Sequence, residues 1–188
     1  MKFQDYRISD EIKQNLEAAG FKKPTDIQFK AIPAILKGED VLAIAQTGTG
    51  KTAAFAIPVI DMIQKQKSSS RTNGIKCLVM VPTRELATQI TKVFHEIGAH
   101  TKVVSYGIVG GVEQDPQIAK LQKGIDILIA TPGRMFDLVN QGHVFLTSVE
   151  TLILDEADHM LNLGFLKDIQ DVIKYIPKKH QTLFFSAT

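Results

Sequence analysis

The chain has 188 residues, 44% of them hydrophobic, which is typical of one large globular domain with a substantial core. The formal net charge of +2 is too small to indicate a polyanionic partner, so any nucleic-acid interaction must be argued from motifs. The single cysteine, Cys77, excludes a disulfide framework. With no apolar run of 18 residues and no signal-peptide pattern in MKFQDYRISDE, we expect a cytoplasmic protein without a membrane span.

Short aliphatic runs alternate with amphipathic segments. In chain order, the pattern predicts helices at 10–19 and 26–37, then strands and helices in alternation at 40–45, 52–66, 75–81, 84–98, 101–107, 114–122, 126–130, 133–140, 151–155, 165–175 and 181–186. Nearly continuous aliphatic strands separated by helices favour a mostly parallel sheet covered on both faces, with ligands beyond the carboxyl ends of the strands. The polar stretch KSSSRTNG is expected to be a surface loop.

The segment AQTGTGKT, residues 45–52, follows the first predicted strand and opens a helix. It fits the P-loop pattern except that Ala45 replaces the first glycine. Its two glycines can adopt positive φ and expose backbone N–H groups to phosphate oxygens, and the helix N-terminus adds partial positive charge. Lys51 is then expected to contact the β- and γ-phosphates, and the Thr52 hydroxyl to ligate Mg²⁺. The alternative is a glycine-rich turn with an incidental lysine.

The stretch TLILDEADHM, residues 151–160, places three carboxylates within four positions directly after a buried strand. Crowded like charges are costly unless they are neutralised, and a divalent cation makes them tolerable. Asp155 is predicted to hold Mg²⁺ through water, and Glu156 to polarise the water that attacks the γ-phosphate. Taken alone, the pattern is equally explained by acidic residues at a helix N-terminus, so this interpretation depends on the P-loop.

The set of motifs resembles the N-terminal RecA-like domain of the DEAD-box family of ATP-dependent RNA helicases. Besides AQTGTGKT and LDEAD, the matching segments are GFKKPTDIQ (20–28, the Q motif), PTRELA (82–87, motif Ia), the glycine pair at 110–111 (the GG motif), TPGR (131–134, motif Ib) and SAT (186–188, motif III). The resemblance covers essentially the whole chain. The sequence as a whole is similar to bacterial members of the family, in particular to the RhlE-like branch. It implies an α/β RecA-like P-loop fold with helices on both faces of the sheet.

For the nucleotide, the resemblance implies that the Gln28 amide pairs with the adenine edge. It also implies that Phe3, which lies 17 positions before the Q motif, stacks on the base. Thr25 and Gln28 also form a capping box that can start a helix without any ligand role. The residues expected to bind ATP are Phe3, Phe21, Lys23, Thr25, Gln28, Ala45, Gln46, Thr47, Gly48, Thr49, Gly50, Lys51 and Thr52. Thr52 and, through water, Asp155 are expected to hold Mg²⁺. Lys51, Asp155 and Glu156 are expected to take part in catalysis.

For RNA, the resemblance implies that helix starts and a glycine pair line a groove for the backbone. Exposed N–H groups, hydroxyls and guanidinium groups bind phosphates without reading sequence, and such contacts are sensitive to salt. The TPGR segment also has a local explanation as an N-cap threonine followed by proline at the first helical position. The predicted RNA contacts are Pro82, Thr83, Arg84, Gly110, Gly111, Thr131, Pro132, Gly133 and Arg134. Ser186 and Thr188 are expected to bond Asp158 and couple the two ligands.

We expect a single domain over residues 1–188, with the Q-motif helices in 1–37 and the core in 38–188. Nothing matches motifs IV, V and VI, so the family's second RecA-like domain, a partner in cis, is expected to be missing. This part should bind ATP or ADP but show little ATPase or unwinding activity alone. Two alternatives stay open for the parent protein, namely another P-loop motor such as a DNA helicase, and an ATP-dependent RNA clamp without significant unwinding.

Overall fold

The computed structural model describes all residues from 1 to 188, and it has the predicted alternation of strands and helices. The strands are β1 (Val41–Ile44), β2 (Cys77–Met80), β3 (Ser105–Ile108), β4 (Ile127–Ala130), β5 (Thr151–Leu154) and β6 (Gln181–Ser186). The helices are α1 (Asp10–Ala18), α2 (Asp26–Leu36), α3 (Lys51–Gln66), α4 (Arg84–Ile97), α5 (Asp115–Gln122), α6 (Pro132–Asn140), α7 (Ala157–Asn162) and α8 (Leu166–Tyr175), with a 3-10 turn at Phe3–Asp5.

All strand pairs are parallel, and the six strands lie in the order β1-β6-β5-β2-β4-β3. The carboxyl ends of parallel strands therefore meet at one edge of the sheet. The P-loop follows β1, the SAT segment ends β6 and the DEAD segment follows β5. On the other half of that edge, motifs Ia, Ib and GG follow β2, β4 and β3. The topology thus separates the predicted nucleotide motifs from the predicted RNA motifs.

Two hydrophobic clusters cover the two faces of the sheet. Successive strand side chains point to opposite faces, so Val79 belongs to one cluster while Leu78 and Met80 belong to the other. Side chains of α1 to α4 pack in the first cluster, and α5 to α8 pack against the second. Cys77 is fully buried in the first cluster, and this burial raises the pKa of its thiol. The predicted α/β fold with helices on both faces is confirmed.

Two elements differ from the prediction. Strand β3 begins at Ser105 instead of residue 101. The backbone N–H of Val104, just before the strand, donates to the Asp126 carboxylate at 2.8 Å and is therefore not available for strand pairing. The range of helix α7 was not predicted, although a helix N-terminus was the alternative explanation of the acidic residues after β5. Helix α7 begins directly after Glu156, which has a φ of 53°. A non-glycine residue in this left-handed region gives no sequence signal for a helix start.

None of the eight α-helices combines the length and the hydropathy needed to cross a membrane.

Candidate functional site

The P-loop presents unpaired backbone donors between β1 and α3. Gly48 and Gly50 have φ values of 85° and 84°. No N–H group from Gln46 to Gly50 donates to another backbone carbonyl, while the Thr49 hydroxyl closes the loop on the Gln46 carbonyl at 2.6 Å. Helix α3 begins at Lys51, so its N-terminus adds partial positive charge at the same place. Free donors around a positive helix end form an anion-binding cradle.

The start of α2 is bonded to this loop through Gln28. The predicted capping box is confirmed: the Thr25 N–H donates to Gln28 Oε1 at 3.0 Å, and the Gln28 N–H donates to Thr25 Oγ1. Gln28 is 1% exposed, and its Nε2 donates to the Gly50 carbonyl at 3.1 Å. A Cβ on Gly50 would collide with that Nε2 atom. These bonds use one Nε2 hydrogen and one Oε1 lone pair, so each end of the amide keeps one hydrogen-bonding position free.

The structure does not present Phe3 as an open stacking surface. Its ring is 2% exposed and packs in the core, edge-on to Phe21 with ring centroids 6.1 Å apart. Stacking on a base would require the Phe3 ring to leave these neighbours. Phe21 is half-buried beside it, whereas Lys23 is exposed in the loop between α1 and α2.

A cleft of about 450 Å³ lies beside the P-loop, between the start of α2 and the end of β1. Its lining joins Thr25 of the Q motif to Ala45 and Thr49 of the P-loop, with Ile27 and Ile44 supplying apolar surface. Neither Phe3 nor Gln28 lines this cleft. This cleft adjoins the phosphate cradle and is large enough to hold part of a small ligand.

Lys51, Asp155 and Glu156 come together at the carboxyl ends of β1 and β5. Asp155 is 2% exposed, and one of its oxygens accepts the Glu156 N–H at 3.0 Å. Burial raises the pKa of Asp155 to about 6, although the nearby Lys51 ammonium opposes this shift. Lys51 Nζ lies 3.1 Å from Glu156 Oε1. The ammonium that is expected to bind phosphate is therefore paired with the predicted water-polarising carboxylate.

The residues around Asp155 fit Mg²⁺ better than a metal held by protein alone. No group of three or more acidic, histidine or cysteine side chains is arranged to hold an ion. Mg²⁺ is usually bound through one or two carboxylates together with waters and substrate phosphates. Asp155 supplies a buried carboxylate of raised pKa that a cation would stabilise, and Thr52 supplies a hydroxyl at the start of α3.

The end of β6 is bonded to α7. The Thr188 hydroxyl donates to Asp158 Oδ2 at 3.0 Å. Partial burial alone would raise the pKa of Asp158, but hydrogen bonds such as this one lower it. The Ser186 hydroxyl donates to the Thr188 carbonyl at 3.1 Å, and it lies close enough to Asp158 to help lower the pKa of that carboxylate. The predicted contact between motif III and the DEAD segment is present through Thr188.

On the other half of the edge, motif Ia and the GG motif touch. Thr83 caps α4 by accepting the Leu86 N–H, and Pro82 before it is buried. The exposed Arg84 lays its guanidinium against Gly111, where an added Cβ would lie 2.5 Å from Nη1. Gly111 has a φ of 74°, in the left-handed region that favours glycine. Arg84 makes no ion pair with any carboxylate.

Arg134 is held within the protein. Its guanidinium donates to Gln117 Oε1 at 2.9 Å and to the Val112 carbonyl at 2.8 Å. Gln117 and Val112 carried no sequence signal for this role, because they lie 17 and 22 positions away on other elements. Arg134 therefore supports the segment after the GG motif, and its guanidinium is less free for phosphate than predicted.

Three other predicted RNA residues lie in the open around this support. Thr131 precedes α6 and makes no side-chain capping bond, so its hydroxyl is available to a ligand. No other part of the protein lies within 4 Å of where a Cβ on Gly110 or Gly133 would stand. Pro132 is the buried first residue of α6. The backbone is accessible at both glycines, as a phosphate surface requires.

Comparison with known proteins identifies the family. Residues 25–188 match the family model described as DEAD/DEAH box helicase. The chain belongs to this family. It is 44% identical, over 186 residues and 99% of its length, to the DEAD-box ATP-dependent RNA helicase CshA of Bacillus cereus strain ATCC 10987, and 41% identical over 99% of its length to CshA of Bacillus subtilis. These matches cover 34% and 37% of the two relatives, so the chain spans about a third of their length.

The fold comparison agrees with the family. The crystal structure of a DEAD box protein from the hyperthermophile Methanococcus jannaschii matches all of this chain with a TM-score of 0.91 and 41% identity, and the match covers 50% of that protein. The RecA-like fold expected from the motifs is therefore confirmed. The bacterial relatives carry the CshA name, so the narrower resemblance to the RhlE-like branch stays a prediction.

Proposed function

We propose that this DEAD-box chain is the ATP-binding part of an ATP-dependent RNA helicase. The observation that carries the proposal is the cradle of free P-loop donors beside the cluster of Lys51, Asp155 and Glu156. The parent protein would use Mg²⁺-ATP binding and hydrolysis to separate short RNA duplexes or to remodel RNA–protein complexes. The relatives named ATP-dependent RNA helicases support this assignment.

Each residue of the cluster has a step that its geometry supports. The P-loop N–H groups and the α3 N-terminus bind the phosphates, and Lys51 exchanges its Glu156 partner for a phosphate oxygen. Glu156, released from that ion pair, orients the attacking water and accepts its proton. Asp155 and Thr52 would hold Mg²⁺, which neutralises phosphate charge when bound. Because Lys51 changes partner when nucleotide binds, Glu156 is released from its ion pair only in the nucleotide-bound state.

Adenine recognition is assigned to the Q motif. Gln28 has one acceptor and two donor hydrogens on its amide, the set needed for the adenine edge, and it already contacts the P-loop at Gly50. Because the second Nε2 hydrogen is free for the base while the first stays on the Gly50 carbonyl, base and phosphate binding are linked through one side chain. Phe3 and Phe21 lie together near the Q motif, and stacking on the base would draw Phe3 out of the core.

RNA binding is assigned to the half of the edge formed by motifs Ia, Ib and GG. Arg84 supplies an exposed unpaired cation, Thr131 supplies a free hydroxyl, and Gly110 and Gly133 leave the backbone open. These groups suit phosphate and sugar oxygens and offer no base readout. Recognition through backbone and 2′-hydroxyl contacts would favour RNA over DNA.

We further propose that residues 1–188 form one domain and that a second RecA-like domain completes the activity. The relatives are about three times as long as this chain, which leaves room for it. An arginine finger from a second domain raises turnover by about 10³- to 10⁵-fold in related nucleotide hydrolases, so this chain alone should hydrolyse ATP slowly and leave duplexes intact. Its buried free thiol suits a reducing cytoplasm.

The test is calorimetric binding of ATP, ADP and GTP with Mg²⁺ to the chain, to Gln28→Ala and to Gln14→Ala. Gln14 is exposed on α1 and makes no side-chain hydrogen bond, so its variant is the matched control. We expect ATP and ADP to bind more tightly than GTP, and Gln28→Ala alone to lose that preference. Equal binding of GTP by the unmutated chain would leave only a generic P-loop domain.

A further inference from the structure

A groove runs along the free edge of the sheet. Strand β3 is the last strand in the sheet order and pairs only with β4. Between β3 and α4 lies a hollow of about 380 Å³ whose lining includes Thr91, Lys92 and His95. A second hollow of about 320 Å³ shares His95 and continues to Lys120 on α5. We call these two neighbouring hollows together the β3-edge groove.

The β3-edge groove opens into the proposed phosphate surface. Arg84, Thr88, Lys92 and His95 recur at helical spacing, so one stripe of α4 runs from the Gly111 contact down the groove. The distance from Arg84 to His95 along the helix axis is about 16 Å. A strand of RNA that contacts Arg84 therefore needs no change of direction to enter the groove.

The charges along the groove are of one sign. Arg84, Lys92 and Lys120 form no ion pair with any carboxylate. No acidic side chain lines either hollow. Unpaired cations along a groove attract a polyanion and raise its association rate. This local arrangement exists although the chain as a whole is nearly neutral, with a net charge of +2.

The free edge of β3 is poorly suited to an added peptide strand. The Ser105 carbonyl is already 2.8 Å from His95 Nε2. Thr91 covers one face of Gly107 so closely that an added Cβ there would collide with its hydroxyl, which donates to the Ala87 carbonyl of its own helix. A partner strand needs the edge carbonyls and N–H groups free, and side chains that occupy them block such pairing. The charge and the occupied Ser105 carbonyl together favour a nucleic-acid backbone over an added strand.

We propose that the β3-edge groove binds single-stranded RNA that extends beyond Arg84, with Lys92 and Lys120 each contacting a phosphate. The inference rests on the proposed RNA function of the neighbouring motifs and extends it by a second segment of strand. Neither lysine belongs to any of the motifs that identify the family.

The experiment measures binding of two oligouridylates, of about five and about ten nucleotides, to the chain by fluorescence anisotropy at several salt concentrations. We expect the longer RNA to bind more tightly, with a log–log salt slope steeper by about 1.4, which is about 0.7 for each added phosphate contact on a single strand. The double variant Lys92→Gln/Lys120→Gln should return the slope of the longer RNA to that of the shorter one. Binding of the shorter RNA should not change.

The matched control is Lys178→Gln/Lys179→Gln, which removes the same charge from two exposed lysines in the loop before β6. It should leave both slopes unchanged. If Arg84→Gln weakens both RNAs while Lys92→Gln/Lys120→Gln leaves the longer RNA unaffected, the groove inference is overturned and the proposed function stands. If neither RNA binds, the proposed function itself fails. Protection of β3 amide hydrogens by an uncharged extended peptide would assign the groove to peptide and also overturn the inference.

Discussion

Asp155 is a residue whose ionisation the fold opposes. Its pKa is raised to about 6 by burial, so the native state binds this proton more tightly than the unfolded chain does. The free energy of unfolding should therefore fall as the pH rises from about 4 to about 6, by roughly 3 kcal/mol at most. Asp155→Asn should remove this decrease and should be more stable than the parent chain at neutral pH. Urea unfolding at several pH values checks the prediction.

Asp137→Asn is the control for this pH experiment, because Asp137 is an exposed carboxylate on α6 without an ion pair. Its pH profile should follow that of the parent chain. The Asp155→Asn variant should also bind Mg²⁺-ADP more weakly, because the carboxylate proposed to hold Mg²⁺ through water is gone. An unchanged profile in Asp155→Asn would show that burial does not disfavour this charge.

The ion pair of Lys51 with Glu156 competes with nucleotide. Because Lys51 must leave Glu156 to reach phosphate, Glu156→Gln should tighten ADP binding. A partly exposed pair is worth about 0.2–1 kcal/mol, which corresponds to a gain of up to about fivefold. The same variant should lose hydrolysis, because an amide does not accept the water proton. Calorimetry and phosphate release measure the two effects. Glu150→Gln, which removes the Lys76 partner at 3.7 Å, should change neither.

At the scale of elements, two arginines of the proposed RNA half are expected to have different roles. Arg134→Gln should lower the free energy of unfolding by about 1–3 kcal/mol, because it leaves the buried Gln117 acceptor without its donor and also removes the exposed bond to the Val112 carbonyl. Arg84→Gln should change stability by less than about 0.5 kcal/mol, because the side chain is exposed and makes no ion pair. It should instead reduce the salt slope of RNA binding by about 0.7. Unfolding and anisotropy on both variants separate the roles. Equal stability losses would contradict this division.

The helices and strands also show which features could be predicted from the sequence and which could not. The strands were predictable because period and composition are local, and five of the six observed strands lie within their predicted ranges. Strand β3 was misplaced because its start is set by Asp126, a residue 22 positions from Val104. The P-loop and the carboxylates were predictable because short spacing carries their chemistry. The burial of Phe3 and the anchoring of Arg134 depend on packing partners distant in sequence, which no local pattern encodes.

At the scale of the whole molecule, one sheet carries both proposed sites. Strand β6, which ends in the SAT segment, lies between β1 and β5, and the Asp155 N–H donates to the Met80 carbonyl of β2 at 3.1 Å. The nucleotide half is therefore joined to the RNA half by regular parallel pairing. Coupling between two ligands requires an element with two arrangements that each ligand biases differently. A continuous sheet supplies no such element, and the Thr188 bond to Asp158 links β6 to α7 at an exposed position.

This rigidity predicts weak coupling within the chain. Saturating Mg²⁺-ATP or Mg²⁺-ADP should change the affinity for RNA by less than about fivefold, below the usual range of allosteric coupling, and RNA should change nucleotide affinity by the same factor. Anisotropy titrations with and without nucleotide, together with the reverse calorimetric titration, test both directions. Hydrogen exchange should show nucleotide protecting the P-loop and RNA protecting the segment after β3. A change in RNA affinity above tenfold that disappears in Thr188→Val would contradict the prediction and identify α7 as the moving element. A change below fivefold would support the proposal that coupling between ATP and RNA depends on the motion of a second domain.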